Sequence, residues 1–247
     1  MNEIPEILKE TYTVTSADID FRKKISAGKL VNIFIQIAWH HAEALNFGID
    51  FMHKNHTVWM LSRLHVKLME EITWNEQLEI STWPKGINRL FYQRDFEFYN
   101  ANQKKVAAGT SEWLIIDIQA RKPKLFQADH HIFNPENVRH AIDSHVPVLT
   151  TPEISEENFF RIVRYSDIDL NEHLTTTRYI DWMFDTFGPE YLSTHSCKEF
   201  IVNFIREIPY NTSVKIVRYS TDEGKKFLFE FIHPEQNRLF FRGQLNF

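Results

Sequence analysis

The sequence predicts an α+β protein made of two copies of one plan, each an antiparallel sheet wrapped around a long central helix. Three observations carry this expectation. Ala17-Asp18-Ile19-Asp20-Phe21 resembles Ser166-Asp167-Ile168-Asp169-Leu170 at an offset of 149 residues. The same offset lays Leu30, Ile33, Phe34 and Ile37 over Tyr179, Trp182, Met183 and Thr186, all at the spacing of one helix face. Glu71-Ile72-Thr73-Trp74-Asn75 then lies over Glu207-Ile208-Pro209-Tyr210-Asn211, at an offset of 136.

Taken in order, each copy begins with a strand and a helix that is apolar over more than one stripe, the mark of a helix covered by other structure. Strand-like runs follow. In the first copy they are Val58–Met69, Gln77–Trp83, Leu90–Tyr99 and Val106–Ile118. In the second they are Glu199–Arg206, Ser213–Tyr219, Lys226–His233 and Arg238–Phe247, several with period-two alternation. The loss of 13 residues between the two offsets predicts a longer helix-to-strand connection in the first copy, around Gly48–His56. A Pro-bearing polar stretch separates the copies. The expected division is a first unit over 1–120, a linker over 121–158 and a second unit over 159–247. A sheet curled around one helix is the hotdog architecture, so the prediction is two tandem hotdog units.

Composition narrows the chemistry. The 247 residues hold 21 Phe but only 7 Gly, and no Gly-rich phosphate loop occurs. A net charge of −5 argues against a broad nucleic-acid surface. The single Cys197 excludes an internal disulfide framework and a Cys-cluster zinc site. The acidic start lacks a signal-peptide pattern, and Leu30–Ala44 is too short and polar to span a bilayer, so a soluble cytoplasmic protein is expected. His40-His41 and His130-His131 are adjacent pairs, a spacing that does not suit metal ligation on a helix. No G-x-S-x-G surrounds Ser62 or Ser166, which excludes a serine-hydrolase elbow. Phe91, Phe96, Phe98, Trp59 and Trp113 read as core residues.

The copies differ at one informative place. The second reads Asp169-Leu170-Asn171-Glu172-His173 where the first reads Asp20-Phe21-Arg22-Lys23-Lys24. An extended backbone would bring Asp169, Asn171 and His173 to one side, and a helix would pair Asp169 with His173 alone. A capping box formed by Asp169 and Glu172 is the purely structural alternative.

The block from Tyr165 to Leu174, followed by Tyr179-Ile180-Asp181-Trp182, resembles the signature of plant-type acyl-acyl carrier protein thioesterases. Phe204-Ile205-Arg206-Glu207 resembles the family's strand ending in Arg-Glu, with weaker echoes in Trp83–Arg94, Glu112–Ile115 and Arg121–Lys124. The resemblance implies a tandem hotdog that hydrolyses fatty acyl thioesters on acyl carrier protein, without metal or cofactor. It places the catalytic set on Asp169, Asn171, His173 and Glu207, in the second unit, and leaves the first to shape the acyl pocket. The family often has cysteine after the glutamate; Ile208 stands there, which leaves no cysteine nucleophile. Its usual Asn-Asn pair is Thr175-Thr176 here. Arg121, Lys122 and Lys124 are candidates for docking the carrier, whose phosphopantetheine bears the acyl chain. The absence of a transit-like segment points to a bacterial member. Neither nucleic acid nor membrane is an expected partner, and further pairing into a homodimer is left open. Alternatives are an acyl-coenzyme A thioesterase or hotdog dehydratase, or a non-enzymatic acyl-binding sensor.

Overall fold

The computed structural model describes residues 7–126, 139–152 and 156–247. The chain divides into two compact units, one running to Val146 and the other from Pro147, with Ala27–Lys29 counted to the second.

In the first unit, β1 (Leu8–Thr13) leads to the long helix α1 (Ala27–Ala44) and the short α2 (Ile49–Lys54). Strands β2 (Thr57–Leu68), β3 (Gln77–Asn88), β4 (Phe91–Asn100) and β5 (Lys105–Asp117) follow, with the two-residue β6 (Lys122–Pro123) paired to β5. The sheet order is β1-β3-β4-β5-β2, with antiparallel ladders between neighbours. The second unit repeats the plan with β7 (Glu156–Ile162), helices α3 (Thr176–Phe184) and α4 (Pro189–Thr194), and strands β8 (Glu199–Phe204), β9 (Ser213–Thr221), β10 (Lys226–His233) and β11 (Arg238–Asn246). Its order is β8-β11-β10-β9-β7.

Each central helix lies against its sheet through aromatic side chains. Phe34 of α1 stacks on Phe96 at 4.7 Å and meets Phe98 edge-on at 4.8 Å. Tyr179 of α3 packs against Phe204 at 5.3 Å and Phe241 at 5.1 Å. The contact is close, and a glycine lies beneath each helix. A Cβ on Gly109 would come within 2.7 Å of the Phe34 ring, and one on Gly243 within 2.2 Å of Met183 Sδ.

The difference in length between the copies sits elsewhere than the sequence suggests. Helix α1 has 18 residues and α3 only 9, and strand β2 has 12 where β8 has 6, while the connections between them, 45–56 and 185–198, do not differ in that direction. The missing turns belong to the helix because Phe187-Gly188-Pro189 stops it; Pro189 opens α4 instead of continuing α3.

The segment between the copies is pinned by buried polar groups. Ala141 N–H donates to Asp95 Oδ2 at 2.7 Å, and Lys85 Nζ donates to Ile142 O at 2.7 Å. In the second unit, Leu149 N–H donates to Asn203 Oδ1 at 2.8 Å and Arg242 NH1 to Leu149 O at 3.0 Å. Pairing satisfies backbone groups that burial would otherwise leave costly. His130-His131 lies outside the described residues.

Candidate active site

The turn that separates the two copies in sequence is built the same way in both. After β7, Tyr165–Asp167 makes one 3-10 turn, and the chain reverses over Asp169–His173 before α3 begins. Asp169 N–H donates to His173 O at 2.9 Å and Glu172 N–H to Asp169 O at 3.1 Å, with Glu172 at φ 62°. Ile168 and Leu174 close the reversal as a bridge. The segment is therefore a tight turn, neither extended strand nor helix.

Within it, Asp169 Oδ1 accepts the Asn171 N–H at 2.8 Å and the His173 N–H at 3.3 Å. Its Oδ2 takes no hydrogen bond among the described residues. Short acidic side chains favour such local bonds to amides two and four positions on. The capping-box alternative fails, because Thr175 occupies the N-cap position of α3. Its hydroxyl makes no cap bond; Arg178 N–H donates to Thr175 O at 2.9 Å, which leaves the N–H groups of Thr176 and Thr177 open among the described residues.

The end of β8 zips onto this turn. Leu174 N–H donates to Ile208 O at 2.8 Å, Tyr210 N–H to Glu172 O at 3.0 Å, and His173 bridges Pro209. That pairing sets Glu207 beside His173, Oε2 to Nδ1 at 3.5 Å. The separation is an electrostatic contact and too long for a good hydrogen bond; His173 Nδ1 is buried with no hydrogen-bond partner. Behind them lies Tyr179, whose phenol hydrogen-bonds the Ile208 backbone. Burial first, then the charges of Glu207 and Asp169, push its pKa up, so it stays protonated.

The four sequence-predicted residues thus meet along two links, Asp169 to Asn171 and His173 through backbone amides, and His173 to Glu207 through side chains. The Asn171 side chain makes no hydrogen bond among the described residues and is exposed. Sequence reasoning missed Arg178, which braces the approach to the turn: Nε lies 3.3 Å from Asp167 Oδ1 and NH2 donates to Ser166 O at 3.4 Å. The signal was present as a cation one helical turn inside α3.

The first copy carries the same frame with different chemistry. Asp20 N–H donates to Lys24 O at 2.8 Å, Leu174's bond to Ile208 has its counterpart in Ile25 N–H to Ile72 O, and Lys23 takes φ 61°. Here Arg22 NH2 pairs with Asp20 Oδ2 at 2.6 Å and Lys24 Nζ with Glu71. Each candidate catalytic position is closed by an ion pair.

The first unit also holds a small cavity of about 40 Å³, lined by Trp39, Phe47, Trp59, Tyr92, Trp113 and Arg94 among others. Trp59 and Trp113 pack against the core cluster of Leu45, Phe47, Met52, Tyr92 and Ile115 and also line this cavity, while Phe96 and Phe98 pack on Phe34 as core. Arg94 is buried, and desolvation lowers its pKa to about 10. Its NH1 donates to His41 Nδ1 at 2.9 Å, while the neighbouring His40 turns to Glu10. Of the basic trio, Arg121 and Lys122 are exposed beside β6; Lys124 lies 3.8 Å from Asp117 and over the Phe126 ring. Among the described residues no helix is long and apolar enough to cross a membrane.

Comparison with known proteins follows the same two-part division. The acyl-ACP thioesterase N-terminal domain matches residues 5–131 and the C-terminal domain residues 150–240. The oleoyl-acyl carrier protein thioesterase 1 of Arabidopsis thaliana, a chloroplastic protein, is 22% identical over 87% of this chain. The chain spans 64% of that relative's length. An acyl-ACP thioesterase from Bacteroides thetaiotaomicron superposes with a TM-score of 0.85 at 25% identity, covering 100% of this chain and 99% of its own. The 12:0-ACP thioesterase from Umbellularia californica shares the fold, with a TM-score of 0.82 at 17% identity over 98% and 97% of the two chains. Two tandem hotdog units, matched along both halves by both domain models, make this chain a member of the acyl-ACP thioesterase family.

Proposed function

We propose that the protein hydrolyses the thioester of fatty acyl-acyl carrier protein, releasing free fatty acid and the carrier's thiol in cytoplasmic lipid synthesis. The observation that carries this is the asymmetry between two turns held by the same backbone hydrogen bonds. The second leaves Asp169 Oδ2 and His173 Nδ1 unbonded, and the first locks the equivalent groups in ion pairs. Family membership supplies the reaction class.

In this reading Asp169 delivers the attacking oxygen, its own or that of a water it deprotonates, to the thioester carbonyl. His173, steadied by Glu207, moves the proton, and the open N–H groups at the start of α3 stabilise the developing oxyanion. The C–S bond then breaks and the thiol leaves, protonated through His173. Where Asp169 attacks with its own oxygen, a water then cleaves the acyl-aspartate anhydride, releasing the fatty acid, restoring the carboxylate and returning a proton to His173. Asn171 orients substrate or water as a neutral donor and acceptor. The first unit, over 1–120, holds the acyl chain in its aromatic-walled cavity, and the exposed Arg121 and Lys122 offer charge to an acidic carrier. No metal or cofactor takes part.

Product analysis with a panel of acyl-carrier-protein chain lengths, and the same chains on coenzyme A, tests the proposal. Free fatty acid from the carrier thioesters, lost in Asp169→Asn, is the expected result. Saturable binding without thiol release would make the protein an acyl sensor, and turnover confined to coenzyme A would move the substrate.

A further inference from the structure

Glu207 sits on a stretch of chain that has already left its strand, so its place beside His173 depends on what holds that stretch. Strand β8 ends at Phe204, and the next two amides, those of Ile205 and Arg206, both donate to Phe240 O at 2.9 Å. Beyond Glu207, Ile208 is bonded on both sides of its backbone. Its carbonyl accepts the Leu174 N–H at 2.8 Å, and its N–H donates to the Tyr179 hydroxyl. The first bond ties the neighbour of Glu207 to the turn, and the second ties it to helix α3.

Packing fixes the direction of that hydroxyl. Tyr179 is 4% exposed, and the rings of Phe204, Phe241 and Phe231 lie 5.3, 5.1 and 5.9 Å from its own. Burying a phenol oxygen costs free energy unless the oxygen is bonded, and the Ile208 N–H supplies the bond.

The first copy shows that the fold does not require this bond. At the offset of 149 residues Leu30 stands in the place of Tyr179 and is fully buried. Ile25 N–H still donates to Ile72 O at 2.8 Å, the equivalent of the bond between Leu174 and Ile208. There the strand-end carboxylate, Glu71, is held by Lys24. The hydroxyl on the central helix thus belongs to the copy whose strand-end carboxylate faces a histidine in place of a lysine.

Resting on the thioester-hydrolase reading, we propose that Tyr179 is a positioning residue for the reaction, its hydroxyl holding the Ile208 amide so that the Glu207 carboxylate stays against His173. Tyr179 acts through Glu207 and touches no reacting atom. The phenol keeps its proton beside the two carboxylates, so it fixes the strand end without changing the charge of the site.

Tyr179→Phe removes one oxygen and keeps the ring, and steady-state kinetics on a fatty acyl-carrier-protein thioester reads its effect. The kcat should fall roughly three- to tenfold, as for the loss of one hydrogen bond, with KM unchanged. In a Glu207→Gln background the same substitution should lower kcat no further, because the carboxylate it positions is gone. A loss by the same factor in both backgrounds would give the hydroxyl a role apart from Glu207 and overturn the assignment. Wild-type kcat in Tyr179→Phe, with or without a change in Tm or KM, also overturns it, as does a variant that does not fold, since each makes the bond structural alone. Absence of hydrolysis by the wild type is a different failure, which removes the parent reading and this role with it.

Discussion

The two oxygens of Asp169 differ in their partners: Oδ1 holds the amides of Asn171 and His173, and Oδ2, with no hydrogen bond among the described residues, is the one proposed for the reaction. An asparagine keeps an oxygen for the amides and gives up the charge. Asp169→Asn should therefore lose at least ~100-fold in kcat, the usual contribution of a positioned base, while its Tm stays within a few degrees of wild type. Parallel loss of Tm would return Asp169 to a turn-holding role. The His173–Glu207 contact makes a second, coupled prediction. If Glu207 acts only through His173, Glu207→Gln and His173→Gln each lower kcat, and the double variant is no slower than His173→Gln. Additive losses would give Glu207 a separate job. These four residues come from the family resemblance; spacing alone pairs Asp169 with His173, leaves a capping box as the alternative and does not single out Glu207. Their geometry was not legible in the sequence, since a tight turn closed by a left-handed Glu172 leaves no mark on hydrophobic periodicity.

At the scale of elements, the two helix-on-sheet contacts are equivalent in place and unequal in tolerance. Phe34 is wedged between Phe96 and Phe98, so a methyl group at position 109 has nothing to displace cheaply. Met183 is unbranched and can swing its thioether away from position 243. Gly109→Ala should cost about 1–3 kcal/mol by urea unfolding and Gly243→Ala less than ~1 kcal/mol. The reverse order would mean that the sheet, and not the side chain above it, yields. Strand positions were readable to within a few residues because alternation and turn residues bound them, as at Lys226–His233. The extra helical turns of α1 were misplaced to Gly48–His56 because an offset between two anchors counts residues without saying which element holds them. The Gly188-Pro189 stop was the overlooked signal.

Across the whole molecule, duplication supplies its own control. Both copies spend the same backbone bonds on the same turn, so only side-chain chemistry distinguishes the place expected to react from the place expected not to. The sequence exposed this division because Arg22 and Lys24 replace Asn171 and His173. It could not show that Asp20 and Glu71 neutralise both cations, which depends on the end of one strand folding back over the turn. Partly exposed pairs of this kind contribute ~0–1 kcal/mol each. Arg22→Ala and Lys24→Ala should therefore lower stability by no more than ~1 kcal/mol apiece and leave kcat and KM for acyl-carrier-protein thioesters at wild-type values. Steady-state kinetics beside thermal unfolding read both quantities on one preparation. A fall in kcat without a fall in Tm would give the first turn a part in the reaction and end the division of labour between the units. Unchanged kinetics, set against the collapse expected for Asp169→Asn, would assign hydrolysis to the second turn alone.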